Sequence, residues 1–166
     1  MRRALFAGMM LGMLAGCALD SEEDLRRALG SRLYLLETVH FASKGNCTAA
    51  VFTLAKGEFR APFPMVVSVK GALAKLRAGK AAHLHLEGRT PNEISEEIMS
   101  HDLPTGLGLI SVGIGPAQDC MSDPVSRGYY MVLTSAQSQM VYLPEENALL
   151  LLYPPEKLAF FLRGSV

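Results

Sequence analysis

Tryptophan is absent from this sequence of 166 residues, aromatic residues make up only 7% of it, and neither charge sign is in excess, with 16 basic and 16 acidic side chains. Balanced charge excludes the basic surface by which proteins grip nucleic acid, so we expect no nucleic-acid partner. With 49% hydrophobic and 19% charged residues, the chain is too apolar to be disordered. Its length predicts one folded domain.

Long hydrophobic runs are also missing. The longest uncharged apolar stretch, from Ala4 to Ala15, is too short to cross a membrane, because a spanning helix needs about 20 apolar residues. Arg2 and Arg3 precede the stretch and small residues follow it, which is the three-part layout of an export signal. The sequence therefore predicts an exported protein and disfavours an uncleaved membrane-spanning anchor.

Residues 14–17, Leu-Ala-Gly-Cys, resemble the lipobox of bacterial lipoproteins. This resemblance covers only residues 1–17. It implies that the Cys17 thiol receives a diacylglycerol, that a signal peptidase removes residues 1–16, and that acyl chains such as palmitate hold the rest of the chain to a membrane. Two or more chains give stable anchoring. The alternative is an ordinary secretory signal in which Cys17 is not modified.

Ala18 follows the lipobox cysteine. In Gram-negative lipoproteins an aspartate at that position usually marks retention in the inner membrane, so the resemblance favours the outer membrane. The protein would then be anchored in the cell envelope with its domain facing the periplasm. Without Arg2 and Arg3 the chain has 14 basic and 16 acidic residues, so its charge would not hold it to anionic lipid.

Of the three cysteines, Cys47 and Cys120 remain once Cys17 is assigned to lipid. A pair of cysteines in an oxidising compartment favours a disulfide. The bridge would close a loop of 74 residues, which corresponds to about 4 kcal/mol of stabilisation. Two buried free thiols are the alternative. A metal site is disfavoured because neither cysteine lies in a CxxC motif or near a histidine.

The pattern predicts a signal peptide over residues 1–16, a lipidated N-terminus and short tether over 17–22, and one α+β domain over 23–166. We expect an antiparallel-rich sheet with two or three short helices. A helix is predicted near residues 22–30, and Thr90-Pro91-Asn92-Glu93 is a capping box that starts a second one. The predicted strands and strand-like segments lie at residues 32–41, 47–54, 65–69, 83–87, 129–134, 140–143, 148–153 and 158–162, with a short helix or turn at 70–80.

Residues 106–115 form an apolar, glycine-rich run. Exposed, such a run would favour aggregation. We therefore expect it to be buried as a strand or covered by a partner.

His83, His85 and Glu87 alternate along a predicted strand, which would place all three side chains on one face. Imidazole and carboxylate groups bind zinc, so these residues are the candidate metal ligands. The same alternation equally describes a solvated strand face with Leu84 and Leu86 in the core. His40 and His101 are too distant in sequence to be placed near them.

Other catalytic motifs are incomplete. Ser111 lies in a sequence close to the nucleophile elbow, but the glycine that should precede it by two residues is one place too early, at Gly108. The glycine-rich run also lacks the Gly-Lys-Ser/Thr of a phosphate-binding loop. The tyrosines near the C-terminus suit packing between strands or a ligand groove.

These observations lead us to expect a non-catalytic binding or assembly module of the cell envelope, with no cofactor besides the covalent lipid at Cys17. Its partners would be the membrane and another envelope protein. Two alternatives stay open. One is a metal-assisted hydrolase that uses His83, His85 and Glu87, and the other is a carrier of an apolar ligand.

Overall fold

A computed structural model describes residues 19–164 and shows one α+β domain built on a seven-stranded sheet. The strands are β1 Leu33–Lys44, β2 Cys47–Phe59, β3 Met65–Val66, β4 Ala82–Leu84, β5 Gln139–Leu143, β6 Ala148–Tyr153 and β7 Leu158–Gly164. Their order across the sheet is β1-β2-β7-β6-β5-β4-β3. Only the β3–β4 pair among these strands is parallel. The predicted fold class is confirmed.

Five α-helices complete the described part of the chain, which is more than the two or three expected. They are α1 Glu22–Gly30, α2 Val69–Arg77, α3 Pro91–His101, α4 Leu103–Ile114 and α5 Asp123–Leu133. The helix α3 begins as predicted, because the Thr90 side chain and the Glu93 side chain form the reciprocal hydrogen bonds of a capping box.

The glycine-rich run, expected to be buried as a strand or covered by a partner, is instead most of α4. Asp102 caps this helix by accepting a hydrogen bond from the Thr105 backbone N–H at 3.1 Å, and Pro104 occupies its first turn. Gly106 lies so close to α3 that an added Cβ would stand 2.2 Å from the Met99 Cα atom. The glycines therefore permit close helix packing in place of strand bulges.

The segment 129–134, expected as the first strand of a meander, belongs to α5 and the residue that follows it. Tyr129 and Val132 are three positions apart and buried, while Tyr130 and Met131 between them are exposed. That spacing is helical. The β-branched and aromatic residues favoured a strand, but packing against the sheet outweighs this propensity.

Both faces of the sheet are covered, so the domain has two hydrophobic cores. The helices α2 to α5 cover one face. On the other face, α1 packs through Leu25 and Leu29, and Phe59 and Phe63 join the same core. Because β2 is second in the sheet order and β3 is last, the chain between them crosses this second face.

Two similar tight turns stand at opposite ends of β6. Each begins with a proline in a short 3₁₀ turn and ends with a left-handed residue, Asn147 with φ of 44° and Lys157 with φ of 52°. We call the two ends of the sheet the Asn147 end and the Lys157 end. The β1–β2 turn and the end of β7 lie at the Asn147 end, because Lys44 pairs with Cys47 and Cys47 pairs with Gly164.

Candidate functional site

The disulfide predicted between Cys47 and Cys120 is present. Their Cα atoms are 6.1 Å apart, and both residues are buried. The bridge joins the start of β2 to the 3₁₀ turn Pro116–Cys120 that follows α4. Two further contacts hold this turn against β1, since the His40 imidazole donates to the Cys120 carbonyl at 2.8 Å and the Lys44 ammonium donates to the Asp119 carbonyl at 2.5 Å.

The candidate metal ligands lie around a strand that is shorter than predicted. The strand β4 ends at Leu84, so the alternation does not continue as far as Glu87. The His83 and His85 rings are neighbours, with centroids 6.2 Å apart, and Glu87 is exposed. Within residues 19–164, no three histidine, cysteine, aspartate or glutamate side chains are grouped so that they could hold a metal ion.

His83 does not lie on a solvated face either. It is only 2% exposed, because the second face of the sheet is itself a core, and its ring packs edge-on against Phe59 at 5.0 Å. Neither ring nitrogen has a hydrogen-bond partner of normal geometry among the described residues. Burial and then the neighbouring His85 lower the pKa of this imidazole, with the Gln139 side chain opposing them. His83 is therefore a neutral core residue.

The other candidates for catalysis have structural contacts. The Ser111 hydroxyl donates to the Gly108 carbonyl at 3.1 Å within α4, and so it does not stand on a nucleophile elbow. His40 is bonded to the disulfide turn, whereas His101 is the last residue of α3. Neither is joined to the His83 region by a contact in the described structure.

The tyrosines considered for a ligand groove divide between core and surface. Tyr129 and Tyr142 are buried beneath the helices, and burial raises the pKa of Tyr129 to about 12. Tyr130 is exposed. A cavity beside Tyr129 and Leu149 has a volume of only about 10 Å³. It has room for one water molecule at most and none for an apolar ligand.

A larger groove is lined by α2 and α3. Its volume is about 690 Å³, and its apolar lining consists of Val69, Leu73 and Ala74, which we call the groove floor. Polar and charged side chains stand around this floor: Ser68, Lys70, Arg77, Glu97 and His101. The apolar residues lie at helical spacing on α2, which is capped by the Ser68 hydroxyl accepting from the Gly71 backbone N–H.

The charge along α2 is unusual for this protein. Residues 68–80 contain four basic side chains and no acidic one, whereas the other residues from Cys17 onward contain 10 basic and 16 acidic ones. Lys70, Lys75 and Lys80 form no ion pair within the described part of the chain. The groove therefore lies beside a basic patch on an otherwise acidic domain.

Two ion pairs flank the groove, and one of them pairs Arg77 of this patch, but neither involves the three lysines. The Arg77 guanidinium binds the Asp102 carboxylate at 2.5 Å, and the Arg89 guanidinium binds the Glu97 carboxylate at 2.8 Å. The Thr105 backbone N–H and Arg77 lower the pKa of Asp102, so that carboxylate stays charged. The lysines are left to interact with solvent or a partner.

From the sequence, residues 70–80 were predicted only as a short helix or turn. The signal that would have found the groove is a run of basic residues, without an acidic one, on a helix whose apolar residues recur at positions 69 and 73. The contribution of α3 had no signal, because it depends on how the two helices pack.

Comparison with known proteins finds no matching protein family, no matching curated protein and no matching solved structure. Between residues 19 and 164, no helix is both long enough and apolar enough to pass through a lipid bilayer. The expected lipidation residue, Cys17, and the rest of the lipobox lie outside the described residues.

Proposed function

We propose that this protein is a lipid-anchored component of the cell envelope whose domain binds another envelope protein without catalysing a reaction. The lipobox resemblance supports anchoring at Cys17, in the outer membrane with the domain in the periplasm. The observation that carries the binding role is the groove between α2 and α3, which has an apolar floor and is lined by Lys70. Lys75 and Lys80 lie on α2 or just after it, and none of the three lysines forms an ion pair within residues 19–164.

The chemistry of the groove favours an acidic partner with apolar side chains. A basic patch attracts an acidic segment and speeds its association. The apolar floor then removes one face of that segment from water, as in complexes where an amphipathic helix lies in a groove. A groove of about 690 Å³ matches a few side chains of such a segment.

Residues 106–115, the glycine-rich run, are not the proposed binding surface. Gly106 and Leu109 are buried in α4, so the run as a whole does not form a surface. Leu103 and Leu107 are exposed on one side of the helix. Burial within the domain accounts for the rest of the run without a partner.

In-cell photo-crosslinking of the full-length protein tests the proposed partner. A crosslinker at Ala74, on the groove floor, should capture one dominant acidic envelope protein, and a crosslinker at Glu37, exposed on β1, should not. Replacing Lys70, Lys75 and Lys80 with glutamate should reduce the Ala74 product at least tenfold. The control Arg127→Glu changes the charge on α5 and should leave it intact.

The same cells test the anchor. Mass spectrometry of the purified protein should find Cys17 as the first residue with two or three acyl chains, and Cys17→Ala should remove the protein from the outer-membrane fraction. Equal crosslinking at Ala74 and Glu37 would count against the groove, whereas a Cys17 without acyl chains would count against the anchor. Recovery of anionic lipid instead of protein at Ala74 would replace the partner that we propose.

A further inference from the structure

Leu19 and Asp20, at the start of the described chain, are bonded to the domain. The Leu19 backbone N–H donates to the Lys44 carbonyl at 3.1 Å, and the Asp20 backbone N–H donates to the Ser43 hydroxyl at 2.8 Å. Both acceptors belong to the end of β1. Although these residues fall in the tether predicted from sequence, they lie against the sheet.

The Asp20 side chain fixes this segment more firmly. Its carboxylate accepts a hydrogen bond from the buried Thr48 hydroxyl at 2.6 Å and forms an ion pair with the Arg163 guanidinium at 2.6 Å. Arg163 also binds Glu146, in the β5–β6 turn, at 2.8 Å. Because only 13% of the Asp20 side chain and 22% of the Arg163 side chain are exposed, water screens this ion pair less than a surface pair.

All of these contacts lie at the Asn147 end of the sheet. Thr48 and Arg163, which both bind Asp20, are paired across β2 and β7. Thr48 is also next to Cys47 of the disulfide. Asn147 binds both Tyr142 and Gly164. The segment therefore joins the domain close to the disulfide and to the hydrogen bonds of Asn147.

We infer that the Asn147 end of the domain faces the surface of the anchoring bilayer and is held close to it, an inference that rests on the proposed lipidation of Cys17. Only Ala18 separates Cys17 from Leu19. Two residues of extended chain span about 7 Å, so a lipid on Cys17 cannot reach far from Lys44. The Lys157 end is then turned away from the membrane, because β6 separates the two ends by about 20 Å.

Fluorescence quenching by nitroxide-labelled lipid head groups measures this orientation in the full lipidated protein. Glu145→Cys and Glu156→Cys place one reactive thiol in each of the two similar turns, since Cys17 is acylated and the other cysteines are bridged. Each thiol carries a fluorophore, and the vesicles contain phospholipids with a nitroxide on the head group. We expect at least threefold stronger quenching at position 145 than at position 156.

Releasing the segment should remove this difference. Insertion of six Gly-Ser residues between Ala18 and Leu19 adds an average reach of about 13 Å and leaves every described contact in place. Asp20→Ala should act in the same direction, while Glu146→Ala, which breaks the other ion pair of Arg163, should not. Circular dichroism of each variant establishes that it is folded.

The outcomes separate the two proposals. Equal quenching at positions 145 and 156, in protein whose mass shows acyl chains on Cys17, overturns the orientation but leaves the anchor. A difference that survives the Gly-Ser insertion also overturns it, since the orientation would then come from another contact. Protein without acyl chains overturns the anchor itself.

Discussion

Single glycines decide how closely the helices approach the rest of the domain. Gly106 of α4 is buried against the backbone of α3, and an added Cβ would overlap the Met99 Cα atom at 2.2 Å. The Met99 backbone atoms cannot move out of the way as the end of a flexible side chain can. By contrast, a Cβ on Gly30, at the end of α1, would meet nothing within 4 Å.

Gly106→Ala should therefore lower the free energy of unfolding by more than about 2 kcal/mol, because α3 and α4 must move apart. Gly30→Ala is the matched control and should change it by less than about 1 kcal/mol, in the stabilising direction. Equilibrium unfolding in urea measures both. Similar values for the two variants would show that α3 and α4 are not packed at Gly106.

His83 makes the second core sensitive to acid. Its pKa in the folded protein is lowered from the ordinary value of 6.5, so the unfolded chain takes up a proton at a pH where the folded protein does not. The free energy of unfolding should thus fall as the pH decreases from 6.5 towards the lower pKa of the folded state. Well above 6.5 both states are neutral at this residue, and its contribution is constant.

His83→Leu should remove this part of the pH dependence and raise stability at neutral pH by about 1 kcal/mol, since a buried imidazole without hydrogen bonds is replaced by an apolar group. Urea unfolding at several pH values between about 5 and about 7.5 checks the slope. His101→Gln is the control, because that side chain is exposed and does not act on His83. An unchanged slope in His83→Leu would assign the acid sensitivity to another group.

Among the helices and strands, sequence patterns predicted those whose ends carry turn or capping residues. They failed for segments whose structure depends on packing against the sheet. The capping box of α3 and the hairpin of β1 and β2 were predicted because turn and cap residues act within a few positions. For α4 and α5, the glycine content and the β-branched and aromatic residues indicated strands. Burial of Leu109, Val112, Tyr129 and Val132 against the sheet made both segments helical.

The disulfide is the strongest link between elements that are far apart in sequence. It connects β2 to the turn after α4, and removing it restores the freedom of a 74-residue loop in the unfolded chain. Replacing Cys47 and Cys120 together with alanine should lower the free energy of unfolding by about 4 kcal/mol. Urea unfolding with and without reductant is the measurement.

The double variant should be insensitive to reductant, whereas the unaltered protein should lose a similar amount of stability when reduced. Cys17→Ala is the control and should leave the unfolding curve unchanged. If reduction has no effect on the unaltered protein, the contacts of His40 and Lys44 hold the turn without the bridge.

Across the whole molecule, the basic side chains and the bonds between distant parts of the chain are both unevenly distributed. The basic patch on α2 lies on a domain that is otherwise acidic, which gives the groove a preference in partner that the net charge near zero conceals. The segment from Leu19 and the disulfide meet at the Asn147 end of the sheet. A force transmitted through a lipid at Cys17 would therefore reach the domain close to the Cys47–Cys120 disulfide.

The candidate site could be predicted only in part. Cysteine counting found the disulfide, because two cysteines in a chain with a predicted export signal have few alternatives. The alternation of His83, His85 and Glu87 suggested that their side chains share one face of a strand. However, β4 ends after three residues, and both faces of the sheet are covered. The groove was missed because it requires α3 to pack beside α2.

The sequence by itself determined the export signal pattern, the lipobox resemblance, the cysteine pairing and the fold class, since each depends on residue type or on spacing along the chain. Only the tertiary structure decided that α4 and α5 are helices, that His83 is buried, and that Leu19 and Asp20 lie against the sheet. The physical reason is the same in each case. These properties arise from contacts between residues far apart in sequence, such as Asp20 with Arg163, which no local pattern records.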